Sequence, residues 1–412
     1  MKKLLLPILA VLLFSFFAGC PGPDPVDTID SIRSYGGSIP IGDLVTIYID
    51  SAKSKVKCIN NTTDEDSGWL SYTVLPKNDQ HNSGFSILKK AVIDETKFVI
   101  FAEYPNAAVI YQMFEDGETI GEPVYVVSRS MINKNTFKDK AYNWMKFLID
   151  ATDDEESDMN CGFVGFDTDT DGLMYGASYS HNSNINGDIN KGLSDINTGG
   201  VVSVANMTAN AANYSNELWP SGDTSDLADA VSLIGTPSGS IILDFGMNTG
   251  GGMGIAIPQS DIELTDVDGT YFAMVYFYEA STDTTSVDPM KIVVSSTGIQ
   301  VFNYSDSIST GTPVFDENLT KLAEYAGGPD SKPVCTSFAD YAGNNSATST
   351  TIQDANNCRG AYLAGSEDAI VNVMFDPNGK FLTFTMFMGS DPDDRSIGFG
   401  FGIRDNNYTD PQ

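Results

Sequence analysis

The chain of 412 residues carries 55 acidic against 23 basic side chains, a formal net charge of −32, with 41% hydrophobic and 11% aromatic residues. That apolar content excludes global disorder and leaves room for roughly two or three folded units. The acidic balance excludes nucleic acid as a first-guess partner, since phosphate backbones would be repelled, and two histidines, His81 and His181, leave little for histidine catalysis or zinc.

In chain order, Lys2 and Lys3 precede an apolar run from Leu4 to Phe17, broken only by Pro7 and Ser15. The run is shorter than the ~20 residues that span a bilayer, so it reads as the core of a signal peptide. Phe17-Ala18-Gly19-Cys20 follows. This tetrapeptide resembles the lipobox of bacterial lipoprotein precursors, in which small residues precede an obligatory cysteine. Phe17 stands where leucine is more usual, and the resemblance covers residues 1–20 only. It implies that Cys20 becomes the mature N-terminus and carries acyl chains, each buried CH2 adding about 0.8 kcal/mol of membrane affinity. Pro21-Gly22-Pro23-Asp24-Pro25 then begins a tether, assigned to residues 21–40, that can form neither helix nor central strand. Because Pro21 follows Cys20, the aspartate signal for inner-membrane retention is absent from that position. The resemblance therefore favours the outer membrane, on its periplasmic or surface face.

The body is expected to be all-β and mainly antiparallel, built of several sandwich or barrel units with one or two short helices. A small β domain is placed at 41–130, with strands at Leu44–Ile49, Trp69–Leu75, Phe98–Glu103, Ala108–Phe114 and Pro123–Val127. A β unit at 131–262 includes strands Ile241–Phe245 and Gly252–Pro258. A second unit at 263–412 includes Tyr271–Tyr278, Phe381–Met388 and Ile397–Arg404. Val371–Phe375, Asp376-Pro377-Asn378-Gly379 and the run from Lys380 predict a hairpin whose glycine takes positive φ. Helices are expected at Ser225–Ile234 and Asp316–Ala326, each capped by its first residue and stopped by glycine. The two larger units read as a duplication. Aligning Lys138–Ala151 with Val267–Ala280 matches Asp139 to Asp268, Tyr142 to Tyr271, Met145 to Met274 and Ala151 to Ala280. Trp69 and Trp144, in strand patterns, are expected in the core.

Beyond Cys20 there are four cysteines, an even number that suggests disulfides in an exported chain. Cys335 and Cys358 bracket a polar stretch that needs a staple; Cys58 with Cys161 follows by elimination. Asp167-Thr168-Asp169-Thr170-Asp171-Gly172 resembles the front of an EF-hand-type calcium loop, with oxygen ligands at alternate positions and a glycine at the turn. Ser178 stands where the bidentate glutamate belongs, so Asp167, Asp169 and Asp171 are either calcium ligands or solvated residues of a hairpin. The acids at 153–158 read as a solvated loop. Thr249–Gly254 is glycine-rich, but without a following Gly-Lys-Ser/Thr it is a turn, not a phosphate cradle. His81 and His181 sit in polar loops, and no Gly-x-Ser-x-Gly elbow accompanies them. Trp219, in Leu218-Trp219-Pro220-Ser221-Gly222, is either a ring exposed to stack on a sugar or a plug on a barrel rim.

Taken together, these features suggest a membrane-anchored envelope lipoprotein with a non-enzymatic binding or structural role. It would meet the membrane through its N-terminal lipid, have no cofactor other than a possible calcium ion, and take an unidentified protein or glycan partner. Two alternatives stand beside it. A carrier would hold a glycan or apolar ligand in a barrel of the second half, lined by Tyr271, Met274 and Tyr276. An exported hydrolase would need two carboxyl groups facing each other across a cleft.

Overall fold

The computed structural model describes residues 32–130, 132, 141–149, 157–166, 173–180, 196–198, 202–203, 207–210, 215–218, 230–246, 251–279, 282, 284–303, 311–321, 359–365, 369–388 and 396–409. They are almost entirely antiparallel β-structure, arranged as one closed and two nearly closed barrels.

The first barrel takes β1 (Ile32–Ser38), β2 (Leu44–Asp50), β3 (Lys55–Asn60), β4 (Glu65–Asp66), β5 (Leu70–Val74), β6 (Leu88–Val92), β7 (Lys97–Tyr104), β8 (Ala108–Glu115) and β9 (Glu118–Ser128). Neighbours in sequence are neighbours in space, and the β1–β9 and β2–β3 pairings close the ring, leaving β4 attached to β3. Residues 32–38 were assigned to the tether on sequence. They form β1 instead, and Gly36 and Gly37 hid it by interrupting the apolar alternation. Along β7, Val99 and Phe101 join the cluster inside the barrel, while Ile100 and Ala102 join a second cluster outside it. Burial on both faces explains why Phe98–Ala102 reads as a continuous apolar run rather than an alternating one.

The second sheet takes β10 (Ala141–Ile149), β11 (Ser157–Phe166), β12 (Leu173–Ser180), β13 (Ile196–Thr198), β14 (Val202–Ser203), β15 (Met207–Asn210), β16 (Ser215–Leu218), β17 (Val231–Gly235), β18 (Ile241–Phe245) and β19 (Gly252–Pro258). A four-residue helix, α1 (Leu264–Val267), precedes the third sheet. Its capping box pairs Glu263 with Asp266. The third sheet takes β20 (Gly269–Glu279), β21 (Thr284–Val294), β22 (Gly298–Asn303), β23 (Phe315–Asn318), β24 (Thr320–Lys321), β25 (Ala361–Gly365), β26 (Ala369–Phe375), β27 (Phe381–Met388) and β28 (Ser396–Asp405). Both sheets follow one plan: the first strand pairs with the second and with the last, β10 with β11 and β19, β20 with β21 and β28.

Neither expected helix forms where it is described. Val231–Gly235 is β17, paired with β18, and Phe315–Asn318 is β23, paired with β22. The local capping signals are real, but Val231, Leu233, Phe315 and Leu319 gain more by burial against neighbouring strands. The expected hairpin does form, between β26 and β27, with Gly379 at φ +64°.

The outer walls of all three barrels meet in one apolar cluster. Leu88, Ile110 and Tyr125 come from the first barrel, Met145, Phe147 and Ile255 from the second, and Phe272, Met274 and Phe401 from the third. Ring pairs cross the seams: Tyr125 on Phe401 at 5.7 Å, Phe147 on Tyr276 at 5.5 Å, and Phe85 on Phe272 at 5.4 Å. Polar pins accompany them. Tyr125 donates to the carbonyl of Met274 at 2.9 Å, Ser238 to Asp376 at 2.6 Å, and Ser86 to Asp405 at 2.5 Å. On β20, Tyr271 faces the interior of the third barrel while Met274 and Tyr276 face the shared cluster. Opposite faces of one strand cannot line one cavity, so the expected lining of a carrier barrel is not formed. Trp144 is half-buried beside the cluster on the other face of β10, and Trp69 lies half-buried just before β5; neither is a core residue.

Candidate functional site

Cys20, Asp167, Asp169, Asp171, His181, Trp219, Cys335 and Cys358 lie outside the described residues. The two strands flanking 167–172, β11 and β12, pair in antiparallel register with Phe166 opposite Met174. Among the described residues, no cluster of three or more His, Cys, Asp or Glu side chains could hold a metal ion. Cys58 is a free, buried thiol inside the first barrel, so the expected bond to Cys161 is not made. Burial pushes its thiol up to about 12 and keeps it protonated.

Among the described residues, three polar arrangements stand out. The first is an ionic knot inside the first barrel. Glu103, whose side chain is 1% exposed, accepts from Arg33 Nε at 2.7 Å and Nη2 at 3.1 Å, from Lys89 Nζ at 2.9 Å and from the Tyr35 hydroxyl at 2.7 Å. Burial alone would raise its carboxyl. The Arg33 hydrogen bond, the Lys89 charge and the Tyr35 hydroxyl together outweigh that and hold it below its ordinary value. Both carboxylate oxygens are saturated and Arg33 also donates to Ser51, so the knot binds the barrel together and offers no reactive group.

The second is a surface cleft of about 280 Å³ on the outer wall of the same barrel, lined by Gln80, His81, Lys90, Val92, Phe98 and the turns at 94–96 and 116–117. Its floor is aromatic: Phe98 stacks on Phe114 at 5.2 Å, and His81 tilts against both. Lys90 Nζ lies 3.7 Å over the Phe98 ring, a cation–π contact. His81 is therefore not the exposed loop residue expected from its polar neighbours. Burial against the two rings, reinforced by the Lys90 charge, lowers its pKa and keeps it neutral at pH 7.

The third is a set of buried acids where the first barrel meets the second. Asp244 on β18 is 6% exposed and accepts from the Ser38 hydroxyl of β1 at 2.5 Å. Burial pushes its carboxyl up to about 7, and Asp43 adds to the rise. Asp43 accepts from Asn60 at 2.7 Å and is itself raised by burial. Glu122 is raised by burial and by Asp43, and its Oε2 is buried without a hydrogen-bond partner. These side chains are enclosed between barrels and do not face each other across an open cleft, as a glycoside-cleaving pair would.

Sequence reading missed the knot and the buried acids, although each leaves a trace. Glu103 is the single acid in Phe98–Glu103, and Asp244 the single acid in Ile241–Phe245. A lone acid within an apolar strand signals a buried, partnered or protonated carboxyl.

No family model and no curated protein matches the chain. Several solved structures resemble it at low similarity. Transferrin binding protein B (isotype 1) from serogroup B Neisseria meningitidis aligns with a TM-score of 0.25 and 9% identity, over 88% of this chain and 66% of that one, just under two thirds of its length. Transferrin binding protein B from Haemophilus parasuis aligns at 0.18 and 9% identity, over 93% and 76%. A family 43 glycoside hydrolase from Bacillus licheniformis aligns at 0.16 and 8% identity, over 88% and 82%. Similarity at this level assigns neither family nor activity.

Proposed function

We propose that the chain is a lipoprotein of the bacterial cell envelope, anchored through Cys20, with a non-enzymatic role in binding or envelope structure. The observation that carries the binding or structural part is the packing of the barrels. The first and third are filled by their own side chains, and the outer walls of all three are spent on one another. A partner is left the rims, the loops and the open cleft over Phe98. The saturated Glu103 knot and the enclosed Asp244 supply no nucleophile or general base to a solvent-open site. Outer-membrane placement, on the periplasmic or surface face, follows from the residue after Cys20, and the partner is a protein or a glycan. The second and third barrels are copies of one unit in this reading. Its support is that Tyr142 and Tyr271, aligned in sequence, are both fully buried on the first strand of sheets that share one pairing plan.

The test is fractionation of cells making the full chain and its Cys20→Ala variant, with mass measurement of the mature N-terminus. The expected result is an acylated protein in the membrane fraction and release of the variant to the soluble fraction. An unmodified Cys20, or a variant that stays with the membrane, would overturn the anchor.

A further inference from the structure

The joint between the first and second barrels is built around a proton. The Ile39–Asp43 turn of the first barrel presses against β18 and β19. Gly42 sits at φ +91°, and a Cβ there would lie 2.4 Å from the Gly252 nitrogen and 2.6 Å from the Phe245 oxygen. No side chain larger than glycine's fits, so the two backbones are in direct contact. Beside this contact Ser38, fully buried, is within hydrogen-bonding distance of two acceptors: Asp244 Oδ1 at 2.5 Å and the Ile39 carbonyl at 3.0 Å. A hydroxyl has one proton to give. If Asp244 is protonated, it donates to Ser38 Oγ, and Ser38 donates on to Ile39, giving a satisfied chain that runs from β18 into the turn. If Asp244 is ionised, the Ser38 proton must go to the carboxylate, the Ile39 carbonyl keeps only the Gly42 amide, and a charge with no cation partner among the described residues is left buried in the joint.

The surroundings disfavour the ionised form. From the first barrel, Asp43 places a like charge near Asp244. From the second, the strand partners of Asp244 are Ser232 and Met253, both uncharged. Arg129, which packs on Gly36 beside Ile234, donates to Ser34 and Thr46 and lies over the Tyr48 ring. Among the described residues, no lysine or arginine pairs with Asp244.

We propose that Asp244, Ser38 and the Ile39–Asp43 turn form a proton-operated clamp: the protonated carboxyl docks the first barrel on the second, and its ionisation loosens that joint while the third barrel keeps its fold. The sign follows from the docked carboxyl titrating at about 7 against an ordinary 3.8. Docking then takes up a proton between those values, so it is strongest below pH 3.8, weakens steadily from there, and levels off once pH passes about 7.

Amide hydrogen exchange of the full chain at pH 6 and pH 8.5, corrected for the intrinsic pH dependence of exchange, tests the clamp. Residues 36–45 and 231–245 are expected to exchange about tenfold faster at the higher pH, with β26 and β27 unchanged. Asp244→Asn, which keeps the donor and cannot ionise, is expected to stay protected at both pH values. Equal protection of the wild type at both pH values, or a pH difference that persists in Asp244→Asn, overturns the proposal. If that variant does not fold, Asp43→Asn decides. Removing the like charge must move the loosening to lower pH, because Asp244 then ionises more readily, and an unmoved transition overturns the clamp.

Discussion

Glu103 and Asp244 are both acids enclosed by apolar strands, yet their environments push them in opposite directions. Glu103 meets two cations and a phenol, so its charged form is favoured; Asp244 meets a hydroxyl and other acids, so its neutral form is favoured. Removing the Glu103 carboxylate leaves Arg33 and Lys89 half-buried and uncompensated. Glu103→Ala should lower the unfolding free energy by about 3–5 kcal/mol, measured by urea denaturation. The pH dependence is also fixed in sign. The Glu103 contribution is present above its unfolded pKa, near 4.5, and is lost as pH falls through the depressed folded value. The Asp244 contribution is lost as pH rises through about 7. Because the Asp244 loss sets in above its unfolded pKa of 3.8 and the Glu103 contribution is complete above 4.5, thermal midpoints should peak at about pH 4 and fall on both sides. Both residues are visible in the sequence as lone acids in apolar runs, but their partners are not. Arg33 lies 70 positions from Glu103 and Ser38 lies 206 from Asp244, and no local pattern links residues so far apart.

At the scale of elements, strands were legible and helices misleading. Ile241–Phe245, Gly252–Pro258 and Phe381–Met388 read from the sequence with the bounds they have in the fold, because turn residues punctuate apolar runs. The hairpin at Asp376-Pro377-Asn378-Gly379 was equally clear. Gly379 donates to Asp376 at 2.7 Å with positive φ, so Gly379→Val should cost about 1–2 kcal/mol, read as a lowered thermal midpoint. Ser225–Ile234 and Asp316–Ala326 failed for a physical reason. Capping residues specify where a helix would begin, and a sheet edge offering hydrogen bonds and an apolar face outweighed them. The strand Ile32–Ser38 failed in the opposite sense, since its two glycines removed the alternation that marks a strand.

At the scale of the molecule, the all-β, antiparallel class was foreseeable, while the packing of the sheets on one another was not. A sequence shows that a strand is apolar on both faces, but not that the second face meets another barrel. The shared cluster makes one cooperative body of the three. Calorimetry should give one main transition rather than three, and Phe401→Ala, which empties the centre of that cluster, should cost about 3–5 kcal/mol and lower the whole transition. Three separate transitions would contradict this. Residues 407–409 are pinned to the first barrel: Lys77 Nζ donates to the Asn407 carbonyl and Thr409 hydroxyl, and the Thr409 amide donates to the Gly84 carbonyl. A newly made first barrel can close its ring early, yet its oily flank stays bare until the final strand arrives. Throughout synthesis the nascent polypeptide thus carries a sticky side, and a chain stopped before β28 would leave that side permanently uncovered.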